Sequence, residues 1–125
     1  MTAAAASVLA GLAVALRPVR RVEVEGPSMV PALAPGDRLL VVRTGRRHRN
    51  RIGVGDVVVV PDPRQPDRLL VKRVAGATAD HVTLEGDNAA ASTDSRTFGP
   101  AARTQIWGRA VFRYHPKPVG TLRNR

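Results

Sequence analysis

Apolar and polar residues alternate in short segments along most of this chain. Six segments, 22–25, 38–43, 56–60, 69–75, 81–85 and 105–114, are rich in valine, leucine and alanine. A period of two with many β-branched residues is typical of half-buried strands. Glycine- and proline-containing turns separate the segments at short intervals, which indicates an all-β protein. The pattern therefore predicts a mainly β fold, a compact barrel or sandwich.

Two of the predicted strands follow similar turns. Gly36 and Asp37 precede the second strand, and Gly55 and Asp56 precede the third. The two turns look alike and repeat the same local turn chemistry, since two copies so close together cannot form a solenoid.

Three polar segments do not fit the strand pattern. Residues 44–51 form a basic loop, either a solvated hairpin tip or a contact for an anion or a lipid. Residues 86–99 form a long polar loop, and loops of this length in a small domain are often functional. Residues 117–125 have the composition of a flexible basic tail.

The N-terminal segment is apolar and rich in alanine. Residues 2–16 carry no charge, and Arg17, Arg20 and Arg21 follow them. Fifteen residues are fewer than the roughly 20 that span a bilayer as a helix, and a signal peptide would carry its positive charges before the apolar run. The segment is a weak membrane anchor or membrane-surface helix, a signal-peptide-like segment, or a short helix packed on the domain. We divide the chain into this segment at 1–21, a domain at 22–116 and the tail.

Composition narrows the range of functions. The 125 residues include no cysteine, which excludes disulfides and cysteine-bound metals, and no histidine and acid cluster has metal-ligand spacing. We therefore expect no metal or other cofactor. The net charge of +10 favours contact with a membrane surface or nucleic acid. Aromatic residues make up only 3% of the chain, which argues against stacking on single strands, and we expect no specific nucleic acid partner.

Ser28 and Lys72 are candidates for a nucleophile and its base. Ser28 lies in a loop between Pro27 and Pro31, where proline restricts the backbone. Strand alternation places Lys72 on one face with apolar neighbours, and burial there would lower the lysine pKa. A neutral amine can take the proton of a serine hydroxyl. From these residues alone, a turn serine and a lysine at a strand edge remain alternatives.

The sequence resembles the signal peptidase I family of Ser-Lys proteases from about Val22 to Tyr114. The similarity lies in three ordered motifs, Ser28-Met29-Val30-Pro31-Ala32-Leu33, then Lys72-Arg73-Val74, then Gly86-Asp87-Asn88 with Ser92-Thr93-Asp94-Ser95-Arg96 and Gly99. The resemblance implies a β-rich protease fold.

The resemblance also implies roles for individual residues. Ser28 would be the nucleophile, Lys72 the general base, and Ser92 the hydroxyl that orients the lysine amine. The residues that shape the site would be Met29, Pro31, Asp94 and Arg96. The backbone N–H of Ser28 would help to stabilise the oxyanion. Gly26 stands where some bacterial members have a serine that assists the oxyanion hole, and Ala32 where the family often has threonine.

The function implied is that of a serine endopeptidase that removes a signal or leader peptide from a precursor protein. The preferred subtype is the maturation protease of nickel-containing superoxide dismutase, which resembles this chain in its short length and its Val-Glu-Gly-Pro-Ser-Met sequence. The alternative function is that of a secretory signal peptidase. We expect the protein to be associated with a membrane; the alternative is a cytoplasmic location, because the arginines after the apolar run would keep the domain on the cytoplasmic side if that run spans a membrane.

Two other functions use the same features differently. A self-cleaving repressor would share the Ser-Lys pair, but the 27 residues before Ser28 are too few for a helical DNA-binding domain. A non-catalytic basic β domain would bind nucleic acid or anionic lipid with strong salt dependence, and alanine at Ser28 would leave that binding unchanged.

Overall fold

The computed structural model describes residues 18–45 and 49–116. Seven strands run through these ranges: β1 (Val19–Glu23), β2 (Arg38–Arg43), β3 (Val57–Asp62), β4 (Gln65–Ala77), β5 (His81–Glu85), β6 (Ala101–Ala102) and β7 (Gly108–His115). A short helix α1 (Ser95–Phe98) and two 3₁₀ turns (Ala89–Ala91 and Arg103–Gln105) complete them. The predicted apolar segment, the centre of the basic loop and the predicted tail lie outside the described residues. In the two described ranges, no helix is long and apolar enough to cross a membrane.

The strands form one antiparallel sheet in the order β1-β2-β7-β3-β4-β5-β6. The prediction of a mainly β fold is confirmed, and the predicted bounds of β2 and β5 match those observed. β1 begins at Val19 rather than Val22, and β4 begins at Gln65 rather than Leu69. Both additions are exposed and lack the alternation that apolar burial produces; residues 19–21 pair with β2 through the backbone, and Gln65 pairs with Asp62.

Two apolar clusters lie on the two faces of the central strand β3. Val57 and Val59 belong to one cluster, with side chains from β1, β2 and the loop that follows β1. Val58 and Val60 belong to the other, with side chains from β4, β5 and the segment after α1. All four valines are at most 3% exposed. β3 is buried on both faces, which explains why its sequence is a continuous run of valine rather than an alternation.

The two Gly-Asp turns have the same geometry. Gly36 and Gly55 adopt φ values of 92° and 97°, which favour glycine. The Asp37 carboxylate accepts from Ala34 N at 2.9 Å, and the Asp56 carboxylate accepts from Gly53 N at 3.0 Å. Each aspartate thus closes its own turn, and the two turns set where β2 and β3 begin.

Candidate active site

Lys72 is a buried cation on β4. It lies opposite Val58 of β3, and strand alternation places it on the same face as Leu70 and Val74. Only 3% of the lysine is exposed, and the three neighbours are at most 8% exposed. The sequence prediction that Lys72 points into an apolar face is confirmed.

Burial lowers the pKa of Lys72, because removing an ammonium from water disfavours its charged form. The carboxylate of Asp94 acts in the opposite direction, whereas the guanidinium groups of Arg64, Arg96 and Arg68 lower the pKa further. A lowered pKa increases the fraction of neutral amine near neutral pH. The neutral amine has the lone pair that a general base needs.

Ser92 joins Lys72 to Asp94. Lys72 Nζ donates to Ser92 Oγ at 2.9 Å, and Ser92 Oγ donates to Asp94 Oδ2 at 2.6 Å. A hydroxyl has one proton to donate, and here it goes to the carboxylate. Ser92 therefore accepts from the lysine and holds the amine in one orientation.

Asp94 is fully buried and its charge is compensated. Its carboxylate accepts from Gly86 N at 2.8 Å and forms a two-pronged pair with Arg96, at 3.0 and 2.6 Å. It also caps α1 by accepting from Arg96 N at 3.1 Å. Burial alone would raise the pKa of Asp94, but the hydrogen bonds from Arg96, Ser92 and Gly86 hold it well below its usual range. The carboxylate therefore stays ionised beside Ser92.

Ser28 lies half-buried in the loop between β1 and β2. Gly26 begins the turn with a φ of 71°, and Leu33 N donates to Met29 O at 2.9 Å. Met29 and Leu33 are at most 1% exposed and belong to the first apolar cluster. The residue directly after Ser28 is therefore an anchor in the core. Pro31 is exposed and follows a cis peptide bond.

Residues 86–88 connect β4 with the loop between β1 and β2 that carries Ser28, which we call the serine loop. Asp87 forms a two-pronged ion pair with Arg73, the residue after Lys72, at 2.9 and 3.0 Å. Asn88 N donates to Ser28 O at 2.8 Å, and Asn88 Nδ2 donates to Pro27 O at 3.2 Å. The strand that carries Lys72 and the loop that carries Ser28 are thus held by two consecutive residues.

Gly86 lies between the two halves of the site. A Cβ atom at residue 86 would lie 2.6 Å from Ser28 O and 2.7 Å from Ser92 Cβ, and closer still to Ser92 Oγ. The backbone of Ser28 and the hydroxyl that bonds Lys72 therefore contact the same glycine. Ser28, Lys72, Ser92, Asp94 and Arg96 are therefore linked around Gly86, whereas Met29 packs in the first apolar cluster.

Alanine at position 86 should impair the site and the fold together. The backbone oxygen of Ser28 lies on one side of the added methyl group. The methyl group would therefore push Ser92 away from Lys72 Nζ and strain the serine loop. We expect Gly86→Ala to cost about 1–3 kcal/mol of unfolding free energy, the range for overpacked interiors, and to lower kcat/KM at least tenfold.

Gly76→Ala is a matched control for this prediction. A Cβ atom at Gly76 would meet only Thr83, at an ordinary 3.6 Å. Urea unfolding and peptide cleavage of the two variants should separate them clearly. Equal activity and stability for both would contradict a tight contact at Gly86.

The Arg73–Asp87 pair and the Asn88 bonds to the serine loop have no separate signal in the sequence. Both segments belong to the motifs noted above, but spacing does not say which arginine pairs with which carboxylate. In the described ranges, no group of acidic or histidine residues could hold a metal ion.

Comparison with known proteins agrees with this geometry. The chain matches the family described as signal peptidase, peptidase S26, in two overlapping segments, residues 1–88 and 78–115. It is 39% identical to the mitochondrial ATP-independent inner membrane protease subunit 1a of Arabidopsis thaliana, over 80% of this chain and 73% of the relative.

Two further relatives have related descriptions. The human mitochondrial inner membrane protease subunit 1 is 34% identical over 73% of this chain and 66% of its own length. Subunit 2 from Schizosaccharomyces pombe is 32% identical over 70% of this chain and 60% of its own length. The family match spans the serine loop, the lysine strand and the Ser92–Arg96 segment. This chain is a serine endopeptidase that belongs to the signal peptidase family, peptidase S26.

Proposed function

We propose that this endopeptidase removes an N-terminal signal or leader peptide from a precursor protein, with Ser28 as nucleophile and Lys72 as general base. The observation that supports it best is the setting of Lys72. Its amine is buried, its pKa is lowered, and its orientation is fixed by Ser92 in the site that also holds the Ser28 loop.

The proposed reaction follows from the direction of these hydrogen bonds. One N–H of neutral Lys72 is donated to Ser92, which leaves the amine lone pair to accept the proton of Ser28 Oγ. The freed oxygen attacks the carbonyl carbon of the scissile bond, and the backbone N–H of Ser28 stabilises the oxyanion. The lysine then passes its proton to the leaving amine. In the second half, Lys72 takes a proton from water, the water oxygen attacks the acyl carbon, and the lysine returns the proton to Ser28 Oγ as the ester bond breaks.

A cleft beside the site could hold the substrate as an extended strand. It has a volume of about 240 Å³ and lies between residues 20–25, which lead to Ser28, and residues 67–69, which lead to Lys72. Among the described residues, β1 pairs only with β2, and β5 pairs with β4 only from Arg73 onward. With respect to those residues both walls keep a free backbone edge, to which a peptide can add by main-chain hydrogen bonds.

The descriptions of the relatives favour one class of precursor protein over the other. Those described above are inner membrane proteases, which favours a signal-peptidase type that works at a membrane over the maturation of nickel superoxide dismutase. We therefore propose membrane association and a precursor delivered to or through a membrane. The superoxide dismutase subtype stays as the second candidate, because the short serine motif resembles that branch.

Incubation of the full chain with three precursors tests this proposal. These are a secretory preprotein, a precursor with a cleavable presequence for a membrane protein, and a nickel superoxide dismutase precursor. Mass spectrometry locates each cut, and Ser28→Ala is the inactive control. We expect cleavage of one or both membrane-directed precursors at a single site near the end of the leader. Cleavage of the superoxide dismutase precursor alone would establish the other subtype, and no cleavage of any of them would contradict the proposal.

A further inference from the structure

A cationic patch lies at the end of the sheet where β1 begins and β2 ends. We define the arginine–tryptophan patch as Arg20, Arg43 and Trp107. The guanidinium carbons of Arg20 and Arg43 lie 5.8 and 5.6 Å from the centre of the Trp107 ring. These distances are within the range of cation–π attraction. The indole thus holds two positive charges from neighbouring strands close together.

The two charges have no acidic partner. No carboxylate in the described ranges forms an ion pair with Arg20 or Arg43, and the remaining residues of the chain include no aspartate or glutamate. The nearest acid along β1, Glu23, pairs with Arg38 at 3.6 Å. A guanidinium stacked on a ring keeps its N–H donors at its edge, and their planar fork matches phosphate oxygens. Clustered unpaired arginines of this kind favour a phosphate-bearing partner.

Apolar groups adjoin the charges. Val19 is 53% exposed, one of the two large apolar side chains most exposed in the described ranges. The uncharged run 2–16 ends just before Arg17 and leads directly into β1, and the first 22 residues of the chain include no acid. Tryptophan and arginine prefer the headgroup region of a bilayer, and each basic residue near an anionic surface adds to the attraction.

We propose that the arginine–tryptophan patch docks on an anionic phospholipid surface. Trp107 would lie at headgroup depth, with Arg20 and Arg43 bonding lipid phosphates. Ser28 follows the opposite end of β1, a strand that is roughly 16 Å long. The cleft lined by residues 20–25 runs between the two. Docking through this patch would therefore open one end of the cleft toward the membrane, where a leader emerges. This last step rests on the proposed function, whereas the docking itself does not.

Trp107 makes the test direct, because it is the sole tryptophan of the chain. The full chain is titrated with vesicles of phosphatidylcholine alone and of phosphatidylcholine mixed with phosphatidylglycerol. Brominated lipids then report whether the indole reaches the headgroup region. We expect a blue shift of Trp107 emission, quenching by brominated lipid, and at least tenfold tighter binding to the anionic vesicles.

Double variants that remove the same amount of charge distinguish vesicle binding through the patch from binding through the overall positive charge. Arg20→Gln/Arg43→Gln should lose on the order of tenfold in affinity for anionic vesicles, at roughly fivefold per arginine and allowing for partial compensation. Arg49→Gln/Arg51→Gln removes the same charge beside Arg103, next to β6 at the opposite edge of the sheet, and should lose less than about threefold. Arg20→Lys/Arg43→Lys keeps the charge but loses the planar fork, so its affinity should lie between those of the wild type and of the glutamine variant at the same positions.

Three outcomes would overturn the proposal. Equal losses in the two glutamine double variants would assign binding to net charge, and unquenched Trp107 in bound protein would place the patch away from the bilayer. If duplex DNA or inositol hexakisphosphate bound through the patch more tightly than the vesicles, its ligand would be a phosphate outside a bilayer. Precursor cleavage in detergent is measured in parallel, and its presence or absence does not alter these outcomes.

Discussion

Replacement of Ser28 by alanine should abolish cleavage of the precursor and leave the fold intact. In the proposed reaction the substitution removes the oxygen that attacks the scissile carbonyl, and the other hydroxyl of the site, that of Ser92, donates its proton to Asp94 rather than to Lys72. Loss of a nucleophile of this kind lowers kcat by about 10⁴-fold or more. We expect no cut product by mass spectrometry after incubation times at which the wild type has finished.

Stability should hardly change in this variant. The structure holds the serine loop through the Ser28 carbonyl, which accepts from Asn88, and through the buried side chain of Met29. The hydroxyl takes part in neither contact. Unfolding in urea should therefore differ by no more than about 0.5 kcal/mol from that of the wild type. A variant that lost activity by unfolding would fail this control.

Replacement of Ser92 by alanine should distinguish the role of Ser92 from that of Ser28. Ser92 contacts Lys72 directly, but its proton is donated to Asp94, so the lysine cannot withdraw that proton without breaking the bond to the carboxylate. We expect a smaller loss, about 10- to 100-fold, because the amine keeps its lone pair and loses only its orientation. Full loss in Ser92→Ala with an active Ser28→Ala would exchange the roles of the two residues.

The parts of the fold that the sequence predicted are those in which burial dictates residue type. β2 and β5 have one buried face, and their alternation marked both strands to the residue. The first four residues of β4, 65–68, were not predicted to be part of the strand, because they are exposed and show no apolar alternation. Asp62 helps to form this hairpin by accepting from Arg64 N at 2.9 Å and pairing with its side chain. A local bond of that kind leaves no periodic signal.

The candidate site also has features that the sequence predicted and features that it did not. Apolar neighbours of Lys72 along one strand were enough to predict burial, because alternation is a local property. The Asn88–Ser28 contact joins residues that are distant in sequence, and spacing alone cannot show it. Gly86 is the extreme case, since its role depends on the space left between Ser28 and Ser92. Its residue type alone does not distinguish close packing from an ordinary turn.

Replacement of Lys72 by methionine should separate catalysis from stability. Methionine has a similar length and no charge, so it fits the apolar face of β4 but cannot accept a proton. We expect kcat/KM to fall by about 10³-fold or more, since the substitution removes the general base and also the acid that protonates the leaving amine. Circular dichroism and urea unfolding at neutral pH should show a folded protein that is at least as stable as the wild type.

The lowered pKa of Lys72 determines the direction in which the free energy of unfolding and kcat/KM change with pH. Burial lowers the pKa of Lys72 in the folded protein below the value of 10.5 that applies to the unfolded chain. Between the two pKa values the unfolded state binds more protons, so the free energy of unfolding falls as the pH decreases from 10.5 to the folded pKa and stays level below it. Lys72→Met should remove this component. The kcat/KM of the wild type should rise with pH through the folded pKa as the amine becomes neutral and then level off, whereas the residual rate of the variant should not follow that titration.

Lys72→Arg completes the comparison, because arginine keeps the positive charge and cannot be deprotonated in proteins. If the lysine acted only as a fixed cation, a folded arginine variant would keep much of the activity and methionine alone would abolish it. If the lysine is the base, both variants are inactive, and only the wild type shows an activity that titrates with the lowered pKa. A wild-type rate that stayed constant from mildly acidic to alkaline pH would contradict the base assignment. The buried amine would then be explained by its hydrogen bond to Ser92 alone, and the base would have to be sought among other groups of the site.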